Sequence, residues 1–273
     1  MNFKDKLATS VKKNNSLLCV GLDPDVRKIP NSVNGDDKTF TFLKDIVDAT
    51  ADLVCAFKPN SAFFEAEGAE GISKLKKLCD YIRTNYPLIP IILDAKRGDV
   101  DNTNPGYVAY SFDYLGVDAI TVSPYLGGSA LKPFLDHKDK GIIILCKTSN
   151  PGADEIENLK VGDKKVYQVV AERVRDDWNT NDNCLLVVGA TYPEELADIR
   201  SIVGDDMVFL VPGIGAQGGE VEKSVKAGIN SKGEGIIVNS SRGVLYASNG
   251  PDFAEAARQA ATQARNMINE ARA

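Results

Sequence analysis

Four charged residues crowd the end of one apolar run. In "IILDAKRGDV", residues 91–100, a stretch built like a buried strand finishes in Asp94, Lys96, Arg97 and Asp99. A central strand tolerates such charge only at its solvated end, so the cluster is either a surface turn or a site for chemistry. Side chains alternate along a strand, which places Asp94 and Lys96, at i and i+2, on the same face. Lys58 ends the apolar run "DLVCAFKPN" (52–60) and is expected beside them on a neighbouring strand. Schiff-base lysines need a depressed pKa from an apolar pocket or a nearby cation. Lys96 has Asp94 and Asp99 nearby instead, and anions favour its charged form. That is an ammonium held ready to donate a proton, and it suits a reaction that makes a carbanion and quenches it. Asp94, expected ionised between two lysines, is not that acid.

A second group follows the last two apolar runs: "PGIGAQGG" (212–219) and "NSSRG" (239–243). Backbone amides of a Gly-rich turn with one arginine, Arg242, make a cradle for phosphate. "GIGAQG" is also a literal GxGxxG. However, it follows a late strand instead of opening a first βαβ unit, which weakens the dinucleotide reading. Asp23 in "GLDP" either caps a turn before Pro24 or bonds a sugar hydroxyl. Ser149 in "KTSNPGA" either starts a turn or contacts a base.

Positioning these residues requires a particular scaffold. Eight short runs rich in Val, Ile and Leu recur, at 16–23, 52–60, 89–96, 118–124, 141–149, 184–191, 207–215 and 235–243. Stretches with helical periodicity lie between them, among them "KTFTFLKDIVDATA", "VYQVVAERVRDDW" and "PEELADIRSIV". Near-continuous apolar strands alternating with helices imply a parallel sheet covered on its outer face. The count and the length match a (β/α)₈ TIM barrel of the α/β class, whose chemistry sits at the C-terminal strand ends. An open doubly wound sheet is the alternative, and it leaves so many polar strand ends unexplained. One domain over residues 1–273 is expected, with a short N-terminal helical extension and a closing C-terminal helix at 251–273. Residues 150–165 read as a long loop.

Composition narrows the function. Net charge of −6 argues against non-specific binding to nucleic acid or to a membrane surface. The five cysteines are odd in number and widely spaced, so a disulfide framework is not expected. No CxxC spacing occurs and His137 is the only histidine, which disfavours zinc and leaves a Ser-His-Asp triad resting on one Lys-rich helix end. The polar N-terminal stretch lacks a signal-type apolar segment, and no run reaches membrane-spanning length. A cytoplasmic enzyme is expected.

The motifs together resemble the orotidine 5'-phosphate decarboxylase family. "LDAKRGDVDNT" carries a D-x-K-x-x-D-[IV]-x-x-T signature. "GLDP", "AFKPN", "KTSNPGA", "VGATYPEEL", "PGIGAQGG" and "NSSRG" follow in the family's order, from about Leu17 to Tyr246, in the style of its longer bacterial subgroup. The resemblance implies decarboxylation of orotidine 5'-monophosphate to UMP in pyrimidine biosynthesis, without a cofactor or metal. It implies a charged network of Lys58, Asp94, Lys96 and Asp99, in which Lys96 protonates C6 and Asp94 lies against the substrate carboxylate. It implies ribose contacts from Asp23 and Lys58, a pyrimidine contact from Ser149, and a phosphate grip from Gln217, Ser241 and Arg242. A homodimer is implied too, with Asp99 and Thr103 crossing into the other subunit's site. Related magnesium-dependent sugar-phosphate enzymes share the signature but carry an acidic ligand where this chain has Lys58. A catalytically silent nucleotide sensor is the rival from another class.

Overall fold

A computed structural model describes residues 1–213 and 218–273. Eight parallel strands form its centre: β1 (Leu18–Leu22), β2 (Ala56–Pro59), β3 (Ile92–Arg97), β4 (Ala119–Val122), β5 (Gly141–Lys147), β6 (Cys184–Val188), β7 (Phe209–Pro212) and β8 (Ile236–Ser240). Continuous pairing runs β2-β1-β8-β7-β6-β5-β4-β3. Two isolated parallel bridges, Phe57 to Ile91 and Asn60 to Asp94, bring β2 to β3 and nearly close the ring. The expected (β/α)₈ barrel is the observed one.

The strands form because both of their faces are buried. Every residue of β1, β2, β4 and β6 is buried, as a helix-covered barrel demands of its wall. The helices outside show the complementary stripe. In Lys38–Thr50, Phe42, Leu43, Ile46, Val47 and Thr50 face inward, and the Asp37 side chain caps the first turn by accepting the Phe40 N–H at 3.0 Å. The C-terminal helix Phe253–Arg272 buries Phe253, Ala257, Ala261, Ile268 and Ala271, packing on Lys38–Thr50 and on Gly218–Gly228. The small alanines let that long helix sit close to its neighbours.

The end of the barrel opposite the charged residues is sealed by the helix Phe3–Asn14. The Phe3 ring lies against Gly141, the first residue of β5, where an added Cβ would fall 2.5 Å from that ring and 2.9 Å from the Cβ of Ala119, the first residue of β4. Lys6 pairs with Asp118 at 2.8 Å, and the same carboxylate accepts the Ile91 N–H at 2.8 Å. With one end plugged, the C-terminal strand ends form the open mouth.

The segment 150–165 departs from expectation. It holds a one-turn helix (Asp154–Glu157) and an antiparallel hairpin pairing Lys160–Val161 with Lys164–Lys165. Lys147, fully buried at the end of β5, explains why the chain is pinned. Its ammonium needs anions, and Asp154 (2.7 Å) and Glu157 (3.3 Å) supply them. Gly162, at φ +63°, makes the hairpin turn that a residue with a Cβ rarely adopts.

Candidate active site

The charged residues at the mouth form a chain that runs from the barrel wall outward. Lys58 of β2 donates to Asp94 Oδ2 at 2.8 Å, and Lys96 donates to Asp94 Oδ1 at 2.6 Å. Side-chain exposure rises along it, from 4% at Lys58 to 11% at Asp94 and 50% at Lys96. One ammonium is therefore buried, one carboxylate is shared, and one ammonium is presented to the open end. Burial works to push the Lys58 pKa down, but Asp94 and then Asp23 outweigh it and hold the pKa above the usual lysine value. Burial likewise works to raise the Asp94 pKa. Lys58 and Lys96 overcome that and bring it down to about 2.

Lys96 reaches Asp94 by a different route from plain alternation. The register of β3 against β4 passes from Leu93 opposite Ile120 to Arg97 opposite Val122, so four steps on one strand face two on the other. The surplus is a bulge over Asp94, Ala95 and Lys96. Lys96 itself sits at φ +48°, in the left-handed region, which for a residue with a Cβ costs about 1–2 kcal/mol. The Thr121 hydroxyl of β4 accepts the N–H of Ala95 (3.0 Å) and of Lys96 (2.9 Å) and donates to Asp94 Oδ1 (3.1 Å).

The other expected residues are placed unevenly. Asp99 follows β3 and is outside the Lys58–Asp94–Lys96 chain. Its carboxylate accepts the Val100 N–H at 2.7 Å and has no ion-pair partner among the described residues. Its backbone is fixed by Asn104, fully buried, which accepts the Asp99 N–H (3.0 Å) and donates to the Asp99 carbonyl (2.7 Å). Thr103 is exposed at the N-cap position of the short helix Asn104–Val108. Asp23 directly follows β1, and its buried Oδ1 lacks a hydrogen bond among the described residues. Ser149, beyond β5, packs against Gly189 and Gly213, where added Cβ atoms would lie 2.8 and 3.2 Å from it. Ser241 occupies the space left by Gly21, whose Cβ would fall 1.8 Å from Ser241 Oγ. Arg242, exposed, begins the one-turn helix Arg242–Leu245. Gln217 lies outside the described residues.

Asp23, Gly213, Ser241 and Arg242 share a cavity of about 930 Å³ that extends toward Met267 of the C-terminal helix. Asp23 joins this cavity to the charged chain. It lies beside Gly21, which pairs in register with Lys58, and its charge helps hold Lys58 protonated. One side of the mouth thus offers Arg242 beside Asp23, and the other presents a proton on an ammonium. Thr121 and Asn104 were not singled out from the sequence. The signal available was one threonine amid the apolar residues of "DAITVSP" and an asparagine five residues after Asp99, both common in ordinary turns and strands.

Comparison with known proteins agrees across the whole chain. The model of the "Orotidine 5'-phosphate decarboxylase / HUMPS family" matches residues 16–260. The chain is 52% identical over 273 residues to the orotidine 5'-phosphate decarboxylase of Ralstonia pickettii (strain 12J), covering 100% of both. It is also 52% identical over 276 residues to that of Cellvibrio japonicus (strain Ueda107), again covering 100% of both. Among solved structures, the Leishmania donovani OMP decarboxylase superposes with a TM-score of 0.87 at 39% identity, over 100% of this chain and 99% of that one.

The charged chain makes a pH prediction with a definite sign. An aspartate whose pKa is depressed on folding adds stability above its unfolded value and loses it as pH falls through the folded value. Asp94 contributes roughly 2 kcal/mol that should vanish between about pH 4 and pH 2. In Asp94→Asn, Lys58 is left buried without its anion, at a cost of about 3–5 kcal/mol at pH 7. Burial then depresses the Lys58 pKa, so the native state binds fewer protons than the unfolded chain. The stability gap between wild type and variant in urea unfolding should therefore narrow as pH rises from 7 to about 10, the background titration common to both cancelling in the difference.

Proposed function

We propose that this chain, which belongs to the orotidine 5'-phosphate decarboxylase / HUMPS family, removes the C6 carboxylate of orotidine 5'-monophosphate, giving UMP and carbon dioxide without metal or cofactor. The observation that carries the reading is the hydrogen-bonded run Lys58–Asp94–Lys96 at the barrel mouth. The C6–carboxylate bond breaks and its electron pair stays on C6. A Lys96 N–H proton moves to C6, and the neutral amine recovers a proton from water. The pair on C6 is not delocalised into the ring, so fixed charge near it must supply most of the stabilisation. An ammonium already held by Asp94 does this without reorganising during the reaction.

Asp94 acts on the other side of the bond. A substrate carboxylate placed ~4 Å from it is repelled by roughly 4 kcal/mol at an effective dielectric near 20, and loss of neutral carbon dioxide relieves this. Asp23 and Lys58 hold the ribose hydroxyls, which gives the buried, unpartnered Oδ1 of Asp23 a donor. Ser149 contacts the pyrimidine, while Gln217, Ser241 and Arg242 take the phosphate. The phosphate is remote from C6, so its binding energy can be spent on the transition state.

The site is completed by a second copy of the chain in a homodimer, working in the cytoplasm. The partner subunit's Asp99 and the partner subunit's Thr103 enter it. Two features support this. Asp99 is held in place by Asn104 yet lacks a cation among the described residues, and Val100, Tyr125 and Leu126 expose apolar surface near the same strand ends.

Loss of orotidine 5'-monophosphate absorbance in EDTA tests the reaction. Wild type should turn over rapidly, and Lys96→Ala should be slower by at least about 10³-fold while still binding UMP. Tight UMP binding with no turnover by wild type would mark a sensor, and activity abolished by EDTA would mark a metal-dependent lyase. For the shared site, mixing Lys96→Ala chains with Asp99→Ala chains should restore about a quarter of wild-type activity, since random pairing gives half hybrids with one intact site each. No recovery in confirmed hybrid dimers would place Asp99 in its own subunit's site.

A further inference from the structure

We propose that Thr121 is the positioning residue that sets the proton donor, by clamping the β3 bulge through its hydroxyl. The inference rests on Lys96 being that donor. Thr121 is buried in β4, flanked by Ile120 and Val122, and only 1% exposed. A hydroxyl offers one hydrogen and two lone pairs, and here all three are used, on Ala95 N–H, Lys96 N–H and Asp94 Oδ1. All three partners belong to the bulge. The same oxygen therefore fixes the backbone that carries Lys96 and the carboxylate that receives its ammonium.

The bulge needs such a clamp. Its two amides have left the regular β3–β4 ladder, where only Leu93 and Arg97 remain in register around it. Without the hydroxyl the buried Ala95 amide and the part-buried Lys96 amide would lose this acceptor, and Lys96 would lose the bond that offsets its left-handed backbone. Returning to a regular ladder would remove the surplus residues and slide Lys96 along the strand by roughly 6–7 Å. Asp94 and Lys96 would then meet only by plain strand alternation, and the ammonium would no longer be held where the bulge presents it. A valine at 121 fills nearly the same volume and keeps the strand's shape, yet it offers neither acceptor nor donor.

The experiment compares wild type, Thr121→Val and Thr121→Ser by steady-state turnover, UMP affinity and hydrogen exchange of the Ala95 and Lys96 amides. In Thr121→Val, kcat should fall roughly a hundredfold while UMP affinity moves less than about threefold. Its Ala95 and Lys96 amides should exchange at least about tenfold faster, with neighbouring β4 amides unchanged. Thr121→Ser, which keeps the hydroxyl, should recover all three properties. If Thr121→Val does not fold, Thr121→Ala takes its place in the same comparison. A loss in the serine variant equal to that in the valine variant would show that keeping the hydroxyl rescues nothing, and would overturn the proposal. So would a valine variant with wild-type kcat and wild-type amide exchange. Should wild type itself turn nothing over, the proposed reaction fails, but amide exchange still decides whether the hydroxyl clamps the bulge.

Discussion

A lysine ammonium with almost no access to water is the constraint around which the mouth of this barrel is arranged. Lys58 cannot stay charged at its depth unless an anion touches it, and Asp94 is that anion at 2.8 Å. The pairing is a poor way to gain stability, because an apolar pair of equal volume would avoid the desolvation of both groups. Its use lies in what it does to Asp94. A carboxylate held down to a pKa of about 2 stays ionised at every working pH, and its second oxygen is then committed to Lys96. The exposed ammonium is thereby placed by the buried one.

The rest of the fold follows from keeping that arrangement rigid. The near-closure of the ring at β2 and β3 brings Asn60 beside Asp94, which sets Lys58 and Asp94 on adjacent strands. The plugged end, with Phe3 against β5 and Lys6 on Asp118, fixes the strands from below. Above, the bulge turns Lys96 toward Asp94, and Gly21 leaves room for Ser241 to stand against β1. Each of these devices works through packing or hydrogen bonding across strands, so the site is as stiff as the wall that carries it.

Much of the architecture was legible because burial leaves a local mark. Eight apolar runs announced eight strands, and "PEELADIRSIV" coincides with the helix Pro193–Val203, where Pro193 at the first turn sets the start and Gly204 the end. The strand-end charges pointed to the mouth for the same reason, since only there can a buried strand carry them. What was not legible is non-local. The bulge in β3 is imposed by a hydroxyl on β4, and alternation read from residues 91–97 alone cannot contain it. Segment 150–165 is pinned instead of looping freely because the buried Lys147 pairs with Asp154 and Glu157, a pairing invisible before the barrel exists. Asn104 looks like an ordinary turn residue until the Asp99 backbone is seen to depend on it.

The central claim is that Lys96 carries the proton that ends up on C6. The reverse of that step can be observed by itself, as exchange of the C6 hydrogen of bound product for deuterium in D2O. A 5-fluoro substituent on UMP makes C6–H more acidic by induction and should speed the exchange, which NMR follows. Wild type should catalyse it, and Lys96→Ala, saturated with the same ligand, should show none above the buffer rate. Exchange by the alanine variant at the wild-type rate would contradict the account, because the proton would then come from another group.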